Sequence, residues 1–402
     1  MERFFAAYER LLQSVNFKTY RYLYKDFNLD SRLTGLIGPR GTGKTTLLLQ
    51  YIKDRIEDRE KCIYVSMDNI YFSETRLIDF VNELYEVHGI RYFFLDEVHK
   101  YPNWNQELKN IYDTYPDVKT VFSGSSSLDL IKGTYDLSRR AVIFRISGLS
   151  FREYLHFKGI VSEDAIEFEE LLKNKRKYAK KIGSTEKLRG SFRQYLSAGY
   201  YPFFLEDEST YAQKLLRIVD KTIYEDIVNH YTIKTENLPS FKRVLAYTAT
   251  IPPGELSINR ISRNIDLDNK TVARYLRMLQ ETGLLTLISS GKTGSGLLKQ
   301  TEKIYLNNSN LYEVITAEIG SKSNIGSIRE IFFVSMIKNS GHQVHYSRIG
   351  DFEVKGTVFE VGGRNKSLKQ IGKNLDRAYL VKDDILYGGK YEIPLYLFGF
   401  LY

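Results

Sequence analysis

The sequence predicts an α/β protein in which a parallel sheet carries a phosphate-binding loop, and three observations predict it. First, Arg32 to Ile37 is a short apolar run that leads into Gly38-Pro39-Arg40-Gly41-Thr42-Gly43-Lys44-Thr45. Beyond the loop, Leu48, Leu49, Ile52 and Ile56 recur at helical spacing, so the order is strand, glycine-rich loop, helix. Second, Ile90 to Leu95 is a mostly apolar run of the kind found in strands covered on both faces, and it ends in the acidic pair Asp96-Glu97. Third, Lys61 to Ser66, Lys119 to Ser123 and Ala141 to Ile146 read as further strands and complete a set of five.

Each element carries its own chemistry. Gly38, Gly41 and Gly43 permit backbone angles that turn successive N–H groups inward, and the following helix adds the positive end of its dipole. The segment Gly38, Pro39, Arg40, Gly41, Thr42, Gly43, Lys44, Thr45 and Thr46 is therefore expected to cradle the phosphate chain of ATP. Lys44 is placed to reach the β- and γ-phosphates, and Thr45 to set its hydroxyl on Mg²⁺, a hard cation that takes few protein oxygens. In open α/β sheets ligands bind beyond the carboxyl ends of the strands. Asp96 at such an end is expected to hold Mg²⁺ through water, and Glu97 to polarise the attacking water. The strand after Lys119 ends in Ser123-Gly124-Ser125, where Ser125 or Ser123 is a candidate to sense the γ-phosphate or orient water. Arg139-Arg140 precedes the last strand, where a guanidinium can act in trans on a neighbour's nucleotide, which implies a homo-oligomer.

Composition bounds the rest. The chain has 402 residues, and a prior of roughly 150 residues per domain makes it multi-domain. With 43% hydrophobic and 27% charged residues it has the composition of a globular protein rather than a disordered one. The single cysteine, Cys62, excludes an internal disulfide, and its apolar setting Cys62-Ile63-Tyr64-Val65 reads as a buried strand. No apolar stretch approaches the roughly 20 residues needed to span a bilayer, and the N-terminus lacks a secretory pattern, so no membrane partner and a cytoplasmic location are expected. The net charge of +9 is a mild excess, compatible with a nucleic-acid partner and equally with a solvated surface.

The phosphate loop, Phe94-Leu95-Asp96-Glu97-Val98-His99, Phe122 to Ser127, Leu137-Ser138-Arg139-Arg140 and Leu149 to Leu155 together resemble the AAA+ related prokaryotic ATPases of the AAA_14 type. The resemblance spans nearly the whole chain. It implies a P-loop NTPase sheet of the AAA+/ASCE kind at 1–150, a helical lid at 151–240, a winged helix at 241–300 and a restriction-endonuclease-like domain at 301–402. It also implies that Arg140 stands in the family's arginine position, with Arg139 before it where the family more often has glycine.

Residues 151–240 are helical in pattern and strongly charged, and carry no evident chemistry. From Leu256 to Leu279 two short helical patterns flank Leu267-Asp268-Asn269, as in a helix-turn-helix. Val272, Leu276 and Leu279 share one face of the second helix, leaving Asn269, Lys270, Arg274 and Arg277 polar, as DNA recognition requires, while winged helices also serve as protein contacts, so a nucleic-acid- or protein-binding module is expected. Gly283 to Ile288 then opens a wing hairpin with Gly291-Lys292-Thr293-Gly294 at its tip. Further on, Glu330 on a helix with Asp351 and Glu360 on strands matches the acidic positions of PD-(D/E)xK nucleases. Gly362 stands where their lysine belongs. That removes the charge expected to stabilise a phosphodiester transition state, unless Lys366 or Lys369 reaches back; Gln370 can complete a relocated site, yet a degenerate nuclease fold retained for binding is the favoured reading. The apolar ending Ile393 to Tyr402 is expected to be a closing core strand.

Overall fold

The structure is a computed structural model that describes residues 1–15, 19–124, 137, 139–231, 233–253, 257–289, 301–367 and 377–402. The chain forms two compact units, Met1–Gly148 and Leu149–Tyr402.

The first unit is the predicted α/β sheet. It begins with helix α1 (Glu2–Ser14) and continues as β1 (Leu33–Ile37), α2 (Lys44–Arg55), β2 (Cys62–Ser66), α3 (Leu77–His88), β3 (Tyr92–Asp96), α4 (Trp104–Thr114), β4 (Lys119–Gly124) and β5 (Ala141–Arg145). All pairings are parallel and the order is β2-β3-β4-β1-β5, with β4 inserted between β1 and β3. That insertion sets the ends of β1, β3 and β4 side by side. The runs are continuous rather than alternating because helices cover both faces, and all five residues of β1 are buried. Leu36, Leu48, Ile52, Phe93, Phe94, Val121 and Phe122 lie in one core at 0% exposure, which anchors the loop after β1 on both sides. Cys62 is buried and free, and burial pushes its thiol up to about 12, so it is an inert core residue.

The second unit opens on a helical stretch: α5 (Phe151–Phe157), α6 (Phe168–Gly183), α7 (Leu188–Ala198), α8 (Tyr211–Lys221) and α9 (Leu238–Thr250). Ser150 caps α5 in a reciprocal box with Glu153, which satisfies two backbone donors at the helix start. There follow α10 (Ile258–Ile265), α11 (Asn269–Glu281), the antiparallel pair β6 (Leu285–Ser289) and β7 (Thr301–Leu306), α12 (Ser309–Glu318) and α13 (Ile325–Asn339). The hairpin's second strand starts past residue 300, so it crosses the boundary expected from the sequence. The wing tip at 291–294 lies outside the described residues.

A mixed sheet closes the unit: β8 (His345–Tyr346), β9 (Phe352–Val354), β10 (Thr357–Gly362), β11 (Ala378–Lys382) and β12 (Glu392–Pro394), in the order β12-β11-β10-β9-β8. Phe333 of α13 meets Phe352, Phe359 and Phe398 at centroid distances of 5.4, 5.3 and 4.8 Å. The expected closing strand is corrected here. Only Ile393 and Pro394 of that run are in a strand, and Leu395–Phe400 is a fully buried 3₁₀ segment. A short apolar run does not by itself separate strand from buried turn, and burial alone accounts for its composition.

Candidate nucleotide site

The loop after β1 is built by glycine at the positions where a side chain cannot fit. Gly41 and Gly43 adopt φ of 76° and 88°, and Gly43 stands as the N-cap of α2. A Cβ on Gly38 would lie 2.1 Å from the Ile146 carbonyl oxygen, so the chain leaves β1 pressed against the segment that follows β5. Lys44 is 5% exposed, and its Nζ donates to the Gly38 and Pro39 carbonyls at 2.9 and 3.0 Å. The Thr42 hydroxyl donates to the Pro39 carbonyl at 2.8 Å and fixes the turn from inside. Thr45 and Thr46 are exposed at the start of the helix.

Arg21 is a member of this site that sequence reading missed. It is 5% exposed and donates to the Thr42 carbonyl and, at 2.7 and 3.1 Å, to the Ser147 and Gly148 carbonyls. Peptide C=O and N–H point in opposite directions across a planar trans unit. Holding the Thr42 carbonyl toward Arg21 therefore turns the Gly43 N–H to the other side of the loop. No periodicity or motif in Tyr20-Arg21-Tyr22 signals this.

Asp96 ends β3, is 2% exposed, and is the hub of the site. Its Oδ2 accepts from the Thr45 hydroxyl at 2.6 Å and from the Tyr64 hydroxyl at 2.5 Å. Its Oδ1 accepts from the Ser123 hydroxyl, and from the Glu97 N–H at 3.2 Å. Burial first and then Asp96 push the Tyr64 phenol well above its ordinary range, so it is a fixed donor.

Glu97 takes the left-handed conformation, φ 55° and ψ 42°, which costs a non-glycine residue of the order of 1 kcal/mol. Its N–H, shared between Asp96 Oδ1 and Ser123 Oγ at 3.2 Å each, holds it there. The Glu97 side chain is 22% exposed, and its Oε2 accepts no hydrogen bond among the described residues. That oxygen lies 3.4 Å from Nε2 of His99, whose side chain is 0% exposed.

Of the other expected residues, Ser125 and Ser138 lie outside the described residues, while Ser123 is engaged with Asp96. Arg140 is not brought to the loop of its own chain. Leu33 pairs with Ala141, so Arg140 stands at the amino edge of the parallel sheet, and the loop leaves β1 at the carboxyl edge. Its guanidinium grips Asp113 of α4 at 3.0 and 3.1 Å.

The expected acidic trio of the second unit is brought together with lysines. Lys303 of β7 reaches Glu330 at 3.2 Å and Asp351 at 3.5 Å, and the Tyr305 hydroxyl donates to Glu330 at 2.6 Å. Lys366 Nζ lies 2.6 Å from Glu360, which is 1% exposed. A Cβ on Gly362 would meet the Lys366 stem at 2.8 Å, so the lysine missing from position 362 is replaced in space by one four residues later. Burial raises the Glu360 carboxyl, opposed by Lys366. Among the described residues no three His, Cys, Asp or Glu side chains form a group suited to a metal ion. Lys369 and Gln370 lie outside the described residues.

A parallel sheet with β4 between β1 and β3, a glycine loop into α2 and an acidic end on β3 define an ATPase-like α/β domain. Residues 30–155 match the family model of an AAA domain, AAA_14. Residues 189–317 match a domain of unknown function, DUF8612. The chain is 28% identical over 387 residues to an uncharacterized protein of Methanocaldococcus jannaschii, covering 87% of this chain and 80% of that one. It is 22% identical over 334 residues to an uncharacterized protein of Haemophilus influenzae, covering 79% and 77%. Similar solved structures include AMPPCP-bound DnaA from Aquifex aeolicus, 16% identical with a TM-score of 0.26, covering 69% of this chain and 87% of that one. Another is the S. cerevisiae Hsp104–ADP complex, 14% identical with a TM-score of 0.34, covering 68% and 39%. No helix among the described residues is long and apolar enough to cross a membrane.

Proposed function

We propose that the protein binds ATP with Mg²⁺ at the loop Gly38–Thr45 and hydrolyses it, with the first unit as the ATPase and the second as the module its nucleotide state serves. The observation that carries the reading is the Asp96 hub. The Thr45 hydroxyl donates a hydrogen bond to Asp96, which leaves the lone pairs of its oxygen for a hard cation, so the residues present fit Mg²⁺. When bound, Mg²⁺ would neutralise phosphate charge, with Thr45 as a ligand and Asp96 holding its water shell. Lys44, held by carbonyls at the base of the loop, is the cation for the β- and γ-phosphates. Glu97, next to Asp96 and with an oxygen that accepts no hydrogen bond among the described residues, orients the attacking water and takes its proton. Arg140, held by Asp113 at the other sheet edge, serves a neighbouring copy if it serves any nucleotide. Phosphate release from the full chain is expected to require Mg²⁺ and to stop with excess EDTA. Absence of Mg²⁺-dependent release, with no ATP bound in equilibrium dialysis, would sink the reading.

A second reading concerns the C-terminal module, where α10 and α11 are read as a helix-turn-helix and β6–β7 as its wing. Val272, Leu276 and Leu279 are buried, whereas Lys270, Arg274 and Arg277 are exposed along one side of α11, with Arg263 exposed on α10. That stripe suits phosphates and base edges of duplex DNA. The Glu330, Asp351 and Glu360 cluster is read as a nuclease-like fold kept for binding even though Lys366 reaches Glu360, because Lys303 occupies both Glu330 and Asp351 and no three acids among the described residues form a group suited to a metal ion. Replacing Lys270, Arg274 and Arg277 by Ala is expected to weaken duplex binding at least tenfold and to lower the salt slope by about 3. With Mg²⁺ or Mn²⁺ present, plasmid is expected to stay intact. Parent binding that ignores salt argues against the DNA reading, and nicking above an Asp351→Ala control argues against the binding-only cluster.

A further inference from the structure

We propose that Tyr64 is a positioning residue for Mg²⁺ at the nucleotide site: from β2, its phenol clamps the Asp96 carboxylate in the orientation that serves the ion. The inference rests on the ATP reading above and adds a residue to it.

Asp96 is 2% exposed and can rotate freely only at the cost of its donors. A carboxylate offers about four lone-pair sites, two on each oxygen. Oδ2 is saturated by two short bonds, from Thr45 at 2.6 Å and Tyr64 at 2.5 Å. Oδ1 likewise takes two donors, the Ser123 hydroxyl and the Glu97 N–H at 3.2 Å. Acceptor capacity for the ion's water shell therefore opens where Thr45 leaves, on Oδ2 beside the Tyr64 bond.

Of the two donors on Oδ2, Tyr64 is the one that cannot leave. Its residue is 6% exposed, its hydroxyl has Asp96 Oδ2 as its hydrogen-bond acceptor, and stranding a buried hydroxyl is unfavourable. Thr45, exposed on α2, can turn its hydroxyl to solvent, whereas Ser123 is 0% exposed and holds Oδ1. When Thr45 turns its oxygen lone pairs to the cation, Tyr64 is the donor that keeps Oδ2 from following it. Register supports the same role: β2 lies beside β3 with Tyr64 opposite Phe94, two residues before Asp96, so the phenol reaches along the strand to the carboxylate.

The test is binding of a fluorescent ATP analogue to the full chain, titrated with Mg²⁺, for the parent, Tyr64→Phe, Asp96→Asn and the double variant. Tyr64→Phe is expected to raise half-saturating Mg²⁺ by about tenfold, the loss expected for one hydrogen bond to a charged group, with affinity in EDTA unchanged. In the Asp96→Asn background the same change is expected to do nothing further, because the phenol acts only through that carboxylate. An unchanged Mg²⁺ midpoint in Tyr64→Phe, or an equal shift in both backgrounds, overturns the role of Tyr64 and leaves the ATP reading standing. A parent that binds no nucleotide at any Mg²⁺ concentration overturns both.

Discussion

Glu97→Gln is expected to bind ATP as tightly as the parent and to hydrolyse it at least about a hundredfold more slowly, the scale of a lost general base. The amide keeps the size of the carboxylate and its backbone bonds, so the φ of 55° and the shared N–H of Glu97 are undisturbed. What changes is proton affinity: an amide oxygen cannot take a proton from water in the transition state. Asp96, Thr45 and Lys44 are untouched, so nucleotide and Mg²⁺ affinity should hold. Single-turnover phosphate release beside equilibrium nucleotide binding separates the two quantities. Equal turnover in variant and parent would remove Glu97 from the chemistry and leave Asp96 in place.

Gly38→Ala is expected to damage both stability and nucleotide binding. The added methyl would fall 2.1 Å from the Ile146 carbonyl oxygen and 2.8 Å from the Ile146 side chain, and the oxygen belongs to backbone that cannot swing aside. Ile146 is fixed in turn, because its N–H donates to the Ile37 carbonyl at 2.9 Å. Overpacking of this kind costs about 2–3 kcal/mol, which lowers the melting temperature of a domain this size by roughly 5–10 °C. Relief by shifting the loop would also move the Gly38 carbonyl away from Lys44 and weaken ATP binding. Thermal unfolding and nucleotide titration of the same preparation check this. A variant with parental melting and parental affinity would contradict the close approach of β1 to the segment after β5.

The first unit was largely legible because its chemistry is local. A buried parallel strand writes itself as an unbroken apolar run, and the phosphate loop, its helix and the acidic pair are each contiguous in sequence. The expected strand ends differ from the observed ones by a residue or two, as at Lys61 against Cys62. The second unit was less legible where residues act across long separations. Lys303 and Glu330 are 27 positions apart, and nothing about a lysine in a strand foretells an acidic partner on a helix. The substitution of Lys366 for the lysine absent at Gly362 was readable only as an option, since whether a side chain reaches back depends on the turn between them. The terminal apolar run was misread as strand for the opposite reason: composition recorded its burial and carried no signal for its backbone.

By itself, then, the sequence determined the α/β class, the glycine-rich loop, the acidic pair and the stripe on α11, because each depends on residue type at short spacing. Only the tertiary structure decided that β4 stands between β1 and β3, which brings Ser123 to Asp96, and that Arg21 closes on the loop from the segment before β1. It also converted Tyr64 from a strand filler into a donor to Asp96. Hydrogen bonds are satisfied by whatever the fold places within reach, so a partner 32 positions away is a property of the packing and not of the local sequence.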